Sequence, residues 1–267
     1  MRKVGLLAGV GRLPVEFARA ASGMGITVVA IGLVPGVDEE LSSVAAKSLT
    51  ISLGEFDRIL KTLKEEGVQE VTMLGKVTKE LLFSGAIVPD DRLKRVLMGL
   101  KDYNDDTLML AFVQELAKDG IGVVDQTALI QALMPAPGVL TKRQPTESEK
   151  NDMEYGYAMA KEIGALDIGQ TVVVKDKAVM AVEAIEGTDA CIRRGAKLAR
   201  GGAVVAKVAK PNQDMRFDVP GLGPDTIKSM VEGGAVALVI EAGKTLLAER
   251  NKVILLADEH GITIVAK

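Results

Sequence analysis

The chain has 267 residues, of which 48% are apolar and 26% are charged, and its formal net charge at pH 7 is −3. This is the composition of a globular protein with room for one large domain or two domains of ordinary size. A single cysteine and a single histidine exclude disulfide scaffolds and zinc sites built on several cysteines or histidines.

The first half of the sequence alternates between short apolar runs and segments with helical periodicity. Continuous apolar runs predict strands that are buried on both faces, and apolar residues at helical spacing predict amphipathic helices. The predicted strands are 4–8, 26–31, 71–74 and 121–124, and the predicted helices are 12–23, one from Phe56 to Gly67 and one that follows Asn104-Asp105-Asp106. This rhythm predicts a Rossmann-like parallel sheet covered by helices.

The rhythm changes in the middle of the chain. Residues 134–147 are rich in Pro, Thr, Lys and Glu, which is typical of a linker. Beyond them, the apolar runs 171–174 and 178–182 are joined by a short polar turn and predict a hairpin. Further strands are predicted at 203–208, 236–240 and 262–266, and helices at 148–163, 189–199, 224–232 and 250–259. The predicted fold is α/β in two domains: a Rossmann-like domain at 1–133, the linker at 134–147 and a C-terminal α/β domain at 148–267.

A glycine-rich turn after the first predicted strand is the first candidate for binding a ligand. Gly9 and Gly11 let the backbone approach a phosphate, and the helix that begins near Leu13 and Pro14 offers free N–H groups and the positive end of its dipole. An NAD fingerprint needs a third glycine where Pro14 stands and an acidic residue where the sequence has Ile31-Gly32-Leu33-Val34. A nucleotide-contacting loop is therefore favoured over an NAD site, with a plain strand-to-helix turn as the alternative.

Several single residues are weaker candidates. Lys76 follows a predicted strand and is placed for a phosphate, although a solvated loop lysine fits equally well. Asp105 and Asp106 favour helix capping over a cation site. His260 is interpreted as a helix-end residue and Cys191 as packing.

An acidic turn after strand 178–182 is a candidate metal site. It places Glu183, Glu186 and Asp189 within seven positions, beside Gly187 and Thr188. Such oxygen ligands suit Mg²⁺ that also holds substrate phosphates. The alternative is purely structural, with Thr188 as the helix N-cap and Asp189 as an acid of the first turn.

The segment 207–220 is the most informative one. It is dense in polar side chains of both signs and is bracketed by prolines, which restrict the backbone. Lys207, Lys210 and Arg216 could neutralise a diphosphate, and Asp218 could bind a metal ion or orient water. A charged surface loop is the alternative interpretation.

Four motifs in this order, at 9–14, 166–170, 182–189 and 207–220, resemble one family. The chain is similar to the UDP-2,3-diacylglucosamine pyrophosphatases of lipid A biosynthesis, of the type unrelated to calcineurin-like phosphoesterases. The resemblance covers nearly the whole sequence and implies a two-domain α/β enzyme. The implied reaction is Mg²⁺-dependent hydrolysis of the UDP-sugar pyrophosphate to UMP and 2,3-diacylglucosamine 1-phosphate.

The resemblance also implies the position of the essential aspartate, and the charged clusters and glycine turns described above supply the other expected site residues. The essential aspartate falls in Arg-Phe-Asp-Val-Pro, hence on Asp218 and not on Asp225, and Val10 stands where a third glycine is frequent. Asp218, Asp189 and Glu186 are the expected metal ligands. The expected substrate-binding residues are Gly9, Gly11, Leu13, Pro14, Lys76, Gly187, Thr188, Lys207, Lys210, Gln213 and Arg216.

Partners and location follow as further expectations. The expected ligand is a lipid-linked UDP-sugar. Nucleic acid is not expected, because the chain has no basic surplus and only five Phe, three Tyr and no Trp. Without an apolar run of about 20 residues or a signal peptide, we expect a cytoplasmic protein with transient contact to the inner membrane surface. A homodimer is compatible with the resemblance. The rival hypotheses are a non-catalytic nucleotide-binding regulator and an NAD(P)-dependent oxidoreductase.

Overall fold

The computed structural model describes most of the chain in two compact units. The described residues are 2–77, 87–102, 105–127, 129–131, 134–211, 214, 216–217 and 219–267, without the side chains of 105 and 106. The first unit is Met1–Ile130 with Met215–Phe217, and the second is Gln131–Asp214 with Asp218–Lys267.

The first unit is built on a parallel sheet. Its strands are β1 (Lys3–Ala8), β2 (Thr27–Gly32), β3 (Lys47–Thr50), β4 (Glu70–Leu74) and β5 (Gly122–Val123), in the order β3-β2-β1-β4-β5 with every pair parallel. Its helices are α1 (Leu13–Gly23), α2 (Leu41–Val44), α3 (Phe56–Glu65), α4 (Asp91–Met98) and α5 (Asp105–Lys118). The crossover connections place helices against the sheet, as parallel strands require.

Helix α3 shows how the apolar pattern positions the first core. Phe56, Ile59, Leu60 and Leu63 recur at helical spacing, and all four side chains are buried. The Phe56 ring meets Phe112 of α5 edge-to-face, with 5.2 Å between ring centroids, a geometry that aromatic pairs prefer. The amphipathic stripe predicted from the sequence is therefore the face that packs on the core.

The second unit has a mixed sheet. Its strands are β6 (Gly138–Val139), β7 (Thr171–Lys175), β8 (Ala178–Val182), β9 (Ala203–Lys207), β11 (Ala235–Ile240) and β13 (Thr263–Ala266), in the order β6-β13-β11-β9-β7-β8. The pairs β9–β11 and β11–β13 are parallel, and the other pairs are antiparallel. A separate parallel pair joins β10 (Gly221–Leu222) to β12 (Leu246–Leu247). The helices are α6 (Glu147–Ala165), α7 (Thr188–Ala199), α8 (Pro224–Gly233) and α9 (Arg250–Glu259).

Helices cover both faces of this second sheet. Along β7, Val172 and Val174 belong to the core on the α6 side, whereas Val173 belongs to the core on the α7 and α8 side. Helix α7 packs very close to the strands, as Gly195 shows: a Cβ at this position would stand 2.6 Å from the Cβ of Val173. Because a side chain at position 195 would clash with β7 and β8, glycine is required for α7 to pack this closely.

The predicted α/β class and the predicted elements are confirmed. The hairpin β7–β8 is present and antiparallel. The predicted strand 121–124 is present as the short strand β5, whereas α2, β3, α4, β6, β10 and β12 were not predicted. One of them, β6, lies inside the segment expected to be a linker and pairs with β13. Within the described residues, the structure contains no helix with the length and apolarity needed to cross a membrane.

Candidate functional site

In the first unit, the turn after β1 is joined to the end of β4 through backbone atoms. Val10 and Lys76 exchange two backbone hydrogen bonds of 2.9 and 2.7 Å, and the N–H of Gly9 donates to Leu74 O at 2.8 Å. A Cβ on Gly9 would stand 2.7 Å from Lys76 O. Gly9 is therefore required for the contact between two loops, and the structure brings the predicted residues Gly9 and Lys76 together.

The remaining predicted residues of this turn occupy different environments. Gly11 is exposed and has φ +114°, with no neighbour within 4 Å of the position a Cβ would take. Leu13 is half-buried, and Pro14 is buried in the first turn of α1. Arg12 forms an ion pair of 2.9 Å with Asp38 and a second ion pair with Glu40. The open backbone at Gly11, at a helix N-terminus, is the part of this turn that an anion could approach.

In the second unit, a strand-end network links Glu183, Thr188 and Lys207. The Thr188 hydroxyl donates to Glu183 Oε1 at 2.8 Å and accepts from Lys207 Nζ at 3.0 Å. Lys207 also donates to Gly221 O at 2.8 Å, and Glu183 Oε2 accepts from the N–H of Gln170 at 3.3 Å. Glu183 and Lys207 are 8% and 6% exposed, so these hydrogen bonds satisfy charges that burial would otherwise destabilise.

Two glycines shape the loops around this network. A Cβ on Gly169 would stand 2.2 Å from Glu183 O, so a side chain there would displace the backbone that carries Glu183. Gly187 has φ +81° and precedes the first residue of α7, a conformation that favours glycine. Thr188 is thus not the N-cap that the structural interpretation expected; it begins the helix, and its side chain bonds Glu183.

The other two carboxylates of the acidic turn have separate partners. Glu186 Oε1 binds Arg194, and its Oε2 accepts from the N–H of Ala184 at 3.1 Å. The Arg194 hydrogen bond lowers the pKa of Glu186. Asp189 Oδ1 accepts from the Thr226 hydroxyl of α8 at 3.1 Å. The first turns of α7 and α8 are therefore joined next to the strand-end network.

The resemblance implies Mg²⁺, an ion that prefers oxygen ligands in near-octahedral geometry. Carboxylate oxygens are suitable ligands. Across the described ranges, however, no group of three or more His, Cys, Asp or Glu side chains is arranged to hold a metal ion. The described carboxylates do not complete a metal site by themselves, and Asp218 lies outside the described residues.

The segment after β9 carries the other predicted cations. Lys210 Nζ lies 2.5 Å from Asp167 Oδ1, which joins this segment to the loop that contains Gly169. The guanidinium of Arg216 lies 5.9 Å from the centre of the Phe217 ring. Gln213, like Asp218, lies outside the described residues.

A partly buried ion pair close to Lys210 was not among the candidates from the sequence. Lys161 of α6 and Glu241 at the end of β11 form an ion pair of 2.5 Å, and together they bond both backbone groups of Ala209. Burial raises the pKa of Glu241, but hydrogen bonds from Lys161 and Lys244 outweigh this effect and lower it below the ordinary value. The only sequence signal was an acidic residue directly after an apolar strand.

The fold and these loops define the class of the protein: a two-domain α/β protein whose strand-end loops carry glycines, lysines and helix N-termini suited to an anionic ligand. The chain belongs to the LpxI family. Residues 3–133 match the LpxI N-terminal domain, and residues 136–265 match the LpxI C-terminal domain. The family resemblance expected from the sequence motifs is confirmed.

Two curated relatives and one solved structure show the range of similarity. The chain is 36% identical to the UDP-2,3-diacylglucosamine pyrophosphatase LpxI of Caulobacter vibrioides, over 99% of this chain and 97% of that protein. It is 30% identical to the bifunctional purine biosynthesis protein PurH of Brucella ovis, over 89% of this chain but 40% of that protein. The biotin carboxylase subunit of pyruvate carboxylase overlaps 68% of this chain and 36% of its own, with 17% identity and a TM-score of 0.28. At this TM-score the overlap carries no conclusion about function.

Proposed function

We propose that this protein hydrolyses the pyrophosphate bond of UDP-2,3-diacylglucosamine in lipid A biosynthesis. One water molecule adds across the P–O–P bridge, and the products are UMP and 2,3-diacylglucosamine 1-phosphate. The relative from Caulobacter vibrioides, which aligns over nearly the full length of both chains, bears the name of this activity. The proposal transfers that activity to this chain.

The strand-end network is the observation in this chain that supports the proposal. Cleaving a phosphoanhydride asks little covalent work of a protein and depends on neutralising charge and positioning water. Lys207 is a buried cation held by Thr188 and by the carbonyl of Gly221, next to the first turn of α7. A fixed ammonium beside a helix N-terminus provides the electrostatic environment that a diphosphate requires.

We assign the remaining roles as follows. Asp218 orients the attacking water, and Lys207, Lys210 and Arg216 hold phosphate oxygens. Gly187, Thr188 and Gln213 complete the contacts to the diphosphate. The first-unit residues Gly9, Gly11, Leu13, Pro14 and Lys76 contact the nucleotide side.

The proposed metal is Mg²⁺, bound by Asp218 with Glu186 and Asp189 around it. Mg²⁺ is held in many enzymes by one or two carboxylates together with substrate phosphates, and it neutralises negative charge on the diphosphate when bound. Because Glu186 and Asp189 already have protein partners, Asp218 is the ligand on which this assignment depends.

The test is hydrolysis of UDP-2,3-diacylglucosamine by the purified protein, with UMP measured by mass spectrometry. With Mg²⁺ present UMP should form, and EDTA should abolish its formation. Water enriched in ¹⁸O shows which phosphorus is attacked, because the label enters either UMP or the lipid phosphate. If no metal supports UMP release, the assignment as an enzyme is wrong, and the alternative of a non-catalytic nucleotide-binding regulator is favoured.

Asp218→Asn, compared with Asp225→Asn, tests the catalytic aspartate. Asp225 offers a matched control because it lies close by in the sequence and its carboxylate forms an exposed pair of 2.8 Å with Lys228. Asp218→Asn should lose on the order of 10² or more in kcat, and Asp225→Asn should retain wild-type kcat. Equal activity of both variants and the wild type would contradict the role of Asp218.

The proposal includes a location and an assembly. A cytoplasmic enzyme acting on a lipid-linked substrate needs transient contact with the inner membrane surface, which vesicle flotation with and without substrate measures. The proposed homodimer is tested by sedimentation velocity. The proposed division at 1–133, 134–147 and 148–267 is tested by limited proteolysis, which should cut first within 134–147.

A further inference from the structure

We propose that Lys161 and Glu241 are positioning residues for the hydrolysis, because together they fix the backbone at Ala209, between the two lysines that the proposed function places on the diphosphate. The inference rests on that proposed function. It concerns two residues that are not among the proposed substrate contacts and that act through the backbone between Lys207 and Lys210.

The first observation is that one ion pair satisfies both backbone groups of a single residue. Glu241 Oε2 accepts from the N–H of Ala209 at 3.0 Å, and Lys161 Nζ donates to Ala209 O at 2.8 Å. The two side chains are joined at 2.5 Å. We call these three residues the Ala209 clamp. Ala209 is 1% exposed, so water does not replace these partners while the loop is in place.

The second observation is where the clamp stands in the sheet. The parallel register of β9 and β11 ends with Lys207 opposite Ile240. Beyond that pair, Glu241 begins a turn, since its carbonyl accepts from the N–H groups of Lys244 and Thr245. The backbone of β11 therefore no longer bonds the segment that follows β9. The Glu241 side chain bonds it instead, two residues beyond Lys207.

The third observation is that the clamp is one of three restraints on this short segment. The N–H of Val208 donates to Gln170 O at 3.1 Å, and Lys210 Nζ lies 2.5 Å from Asp167. The Gln170 and Asp167 restraints come from the loop before β7, and the clamp comes from α6 and from the residue that follows β11. Residues 208–210 are thereby held from the loop before β7, from α6 and from the end of β11.

A buried ion pair is a weak way to gain stability, because desolvation offsets its attraction. Glu241 is 7% exposed and the Lys161 side chain is 26% exposed, so desolvation acts mainly on the carboxylate of this pair. An apolar pair of similar volume would serve packing equally well but would leave the Ala209 N–H and carbonyl unsatisfied. The ion pair is explained by what it fixes, which is the direction of the chain between Lys207 and Lys210. A displacement of about 1 Å at a reacting centre costs on the order of 10²-fold in rate, so this direction matters for catalysis.

The experiment compares Lys161→Met and Glu241→Gln with Lys161→Arg and Lys244→Met. Lys161→Arg keeps a cationic hydrogen-bond donor and should therefore retain the wild-type kinetics and exchange. Lys244 is the matched control because it binds the other oxygen of the same carboxylate, Oε1, at 2.9 Å and is 53% exposed. Two readouts are used: steady-state kinetics with UDP-2,3-diacylglucosamine, and hydrogen–deuterium exchange of peptides that include the Ala209 amide.

Lys161→Met and Glu241→Gln should lower kcat/KM by roughly 10- to 100-fold, with a fall in kcat as well as a rise in KM. Peptides that include Ala209 should exchange about tenfold faster or more. Lys161→Arg and Lys244→Met should resemble the wild type in both readouts.

The two readouts separate this inference from the proposed function. If the wild type releases no UMP, the proposed function fails, and the exchange data still decide whether the clamp exists. If exchange at Ala209 is unchanged in both clamp variants, the clamp is refuted whatever the activity. If exchange rises but kcat/KM stays at the wild-type value, the pair is only structural and the positioning role is wrong.

Discussion

Replacing Thr188 by valine should destabilise the second unit through two buried charges at once. The hydroxyl donates to Glu183 at 2.8 Å and accepts from Lys207 at 3.0 Å, and these two partners are 8% and 6% exposed. Valine has nearly the same shape but neither donates nor accepts, so the loss is in hydrogen bonding rather than packing.

The size of the effect follows from the partners that remain. A hydrogen bond to a charged group contributes about 1.5–3 kcal/mol. Lys207 keeps the carbonyl of Gly221, and Glu183 keeps the N–H of Gln170. We therefore expect a net loss of about 2–3 kcal/mol in the free energy of unfolding, below the full sum for two bonds. Thr188→Ser keeps the hydroxyl and should lose about 1 kcal/mol or less.

Urea titration followed by far-UV circular dichroism measures this difference, in the transition that unfolds the second unit. The comparison does not depend on the reaction, since no substrate is present. Wild-type stability of Thr188→Val, or an equal loss in Thr188→Ser, would show that the hydroxyl does not carry the network and would refute the reasoning.

Three further predictions concern other parts of the chain. The Asp90 carboxylate accepts hydrogen bonds from two helices: from the N–H of Leu93 in α4 at 2.8 Å and from the N–H of Asp57 in α3 at 2.7 Å. Asp90→Ala should therefore lower the free energy of unfolding of the first unit by about 2 kcal/mol, measured by urea titration. A urea midpoint equal to that of the wild type would contradict this double cap. Burial raises the pKa of Glu149, but hydrogen bonds from Arg143 and Thr146 outweigh burial, and the pKa is lowered in the folded protein. The ionised Glu149 therefore stabilises the fold above its unfolded pKa, and this contribution is lost as the pH falls through the folded pKa. Compared with the wild type, Glu149→Gln should show a smaller loss of unfolding free energy between neutral and acid pH. Burial raises the pKa of Cys191 to about 12, so the native thiol should resist iodoacetamide at mildly alkaline pH and react only after unfolding, an idea that equal labelling rates would exclude.

Strands buried on both faces were the part of the fold most visible in the sequence. The run at 4–8 predicts a central strand, and β1 is buried from Val4 to Ala8. Strand β3, Lys-Ser-Leu-Thr, is largely exposed at the sheet edge and has no apolar pattern to reveal it. Helix α4 was not predicted, although the sequence does carry a signal for it: an aspartate N-cap at Asp90 followed by apolar residues at helical spacing.

The sequence was sufficient to select several residues of the candidate site but not to predict which of them contact one another. Thr188 and Lys207 were each selected from their own motif, and the fold joins them across 19 positions. The approach of Gly169 to the backbone of Glu183 depends on two loops meeting, which no local pattern encodes. Lys161 and Glu241 are 80 positions apart, and each has an ordinary sequence context, so only the tertiary structure reveals that they share Ala209.

The acidic turn shows why counting carboxylates misleads when a metal site is sought. In the sequence, Glu183, Glu186 and Asp189 are three equivalent candidates within seven positions. In the structure, each is distinguished by its partner: a threonine that also accepts from Lys207, the Arg194 guanidinium, and the Thr226 hydroxyl. A side chain that ligates a cation must give up or share such a bond, and the buried Glu183 has the most to lose. The turn is therefore better explained as the scaffold that balances charge around Lys207. This is why the proposed dependence on Mg²⁺ rests on Asp218 and on the oxygens of the substrate.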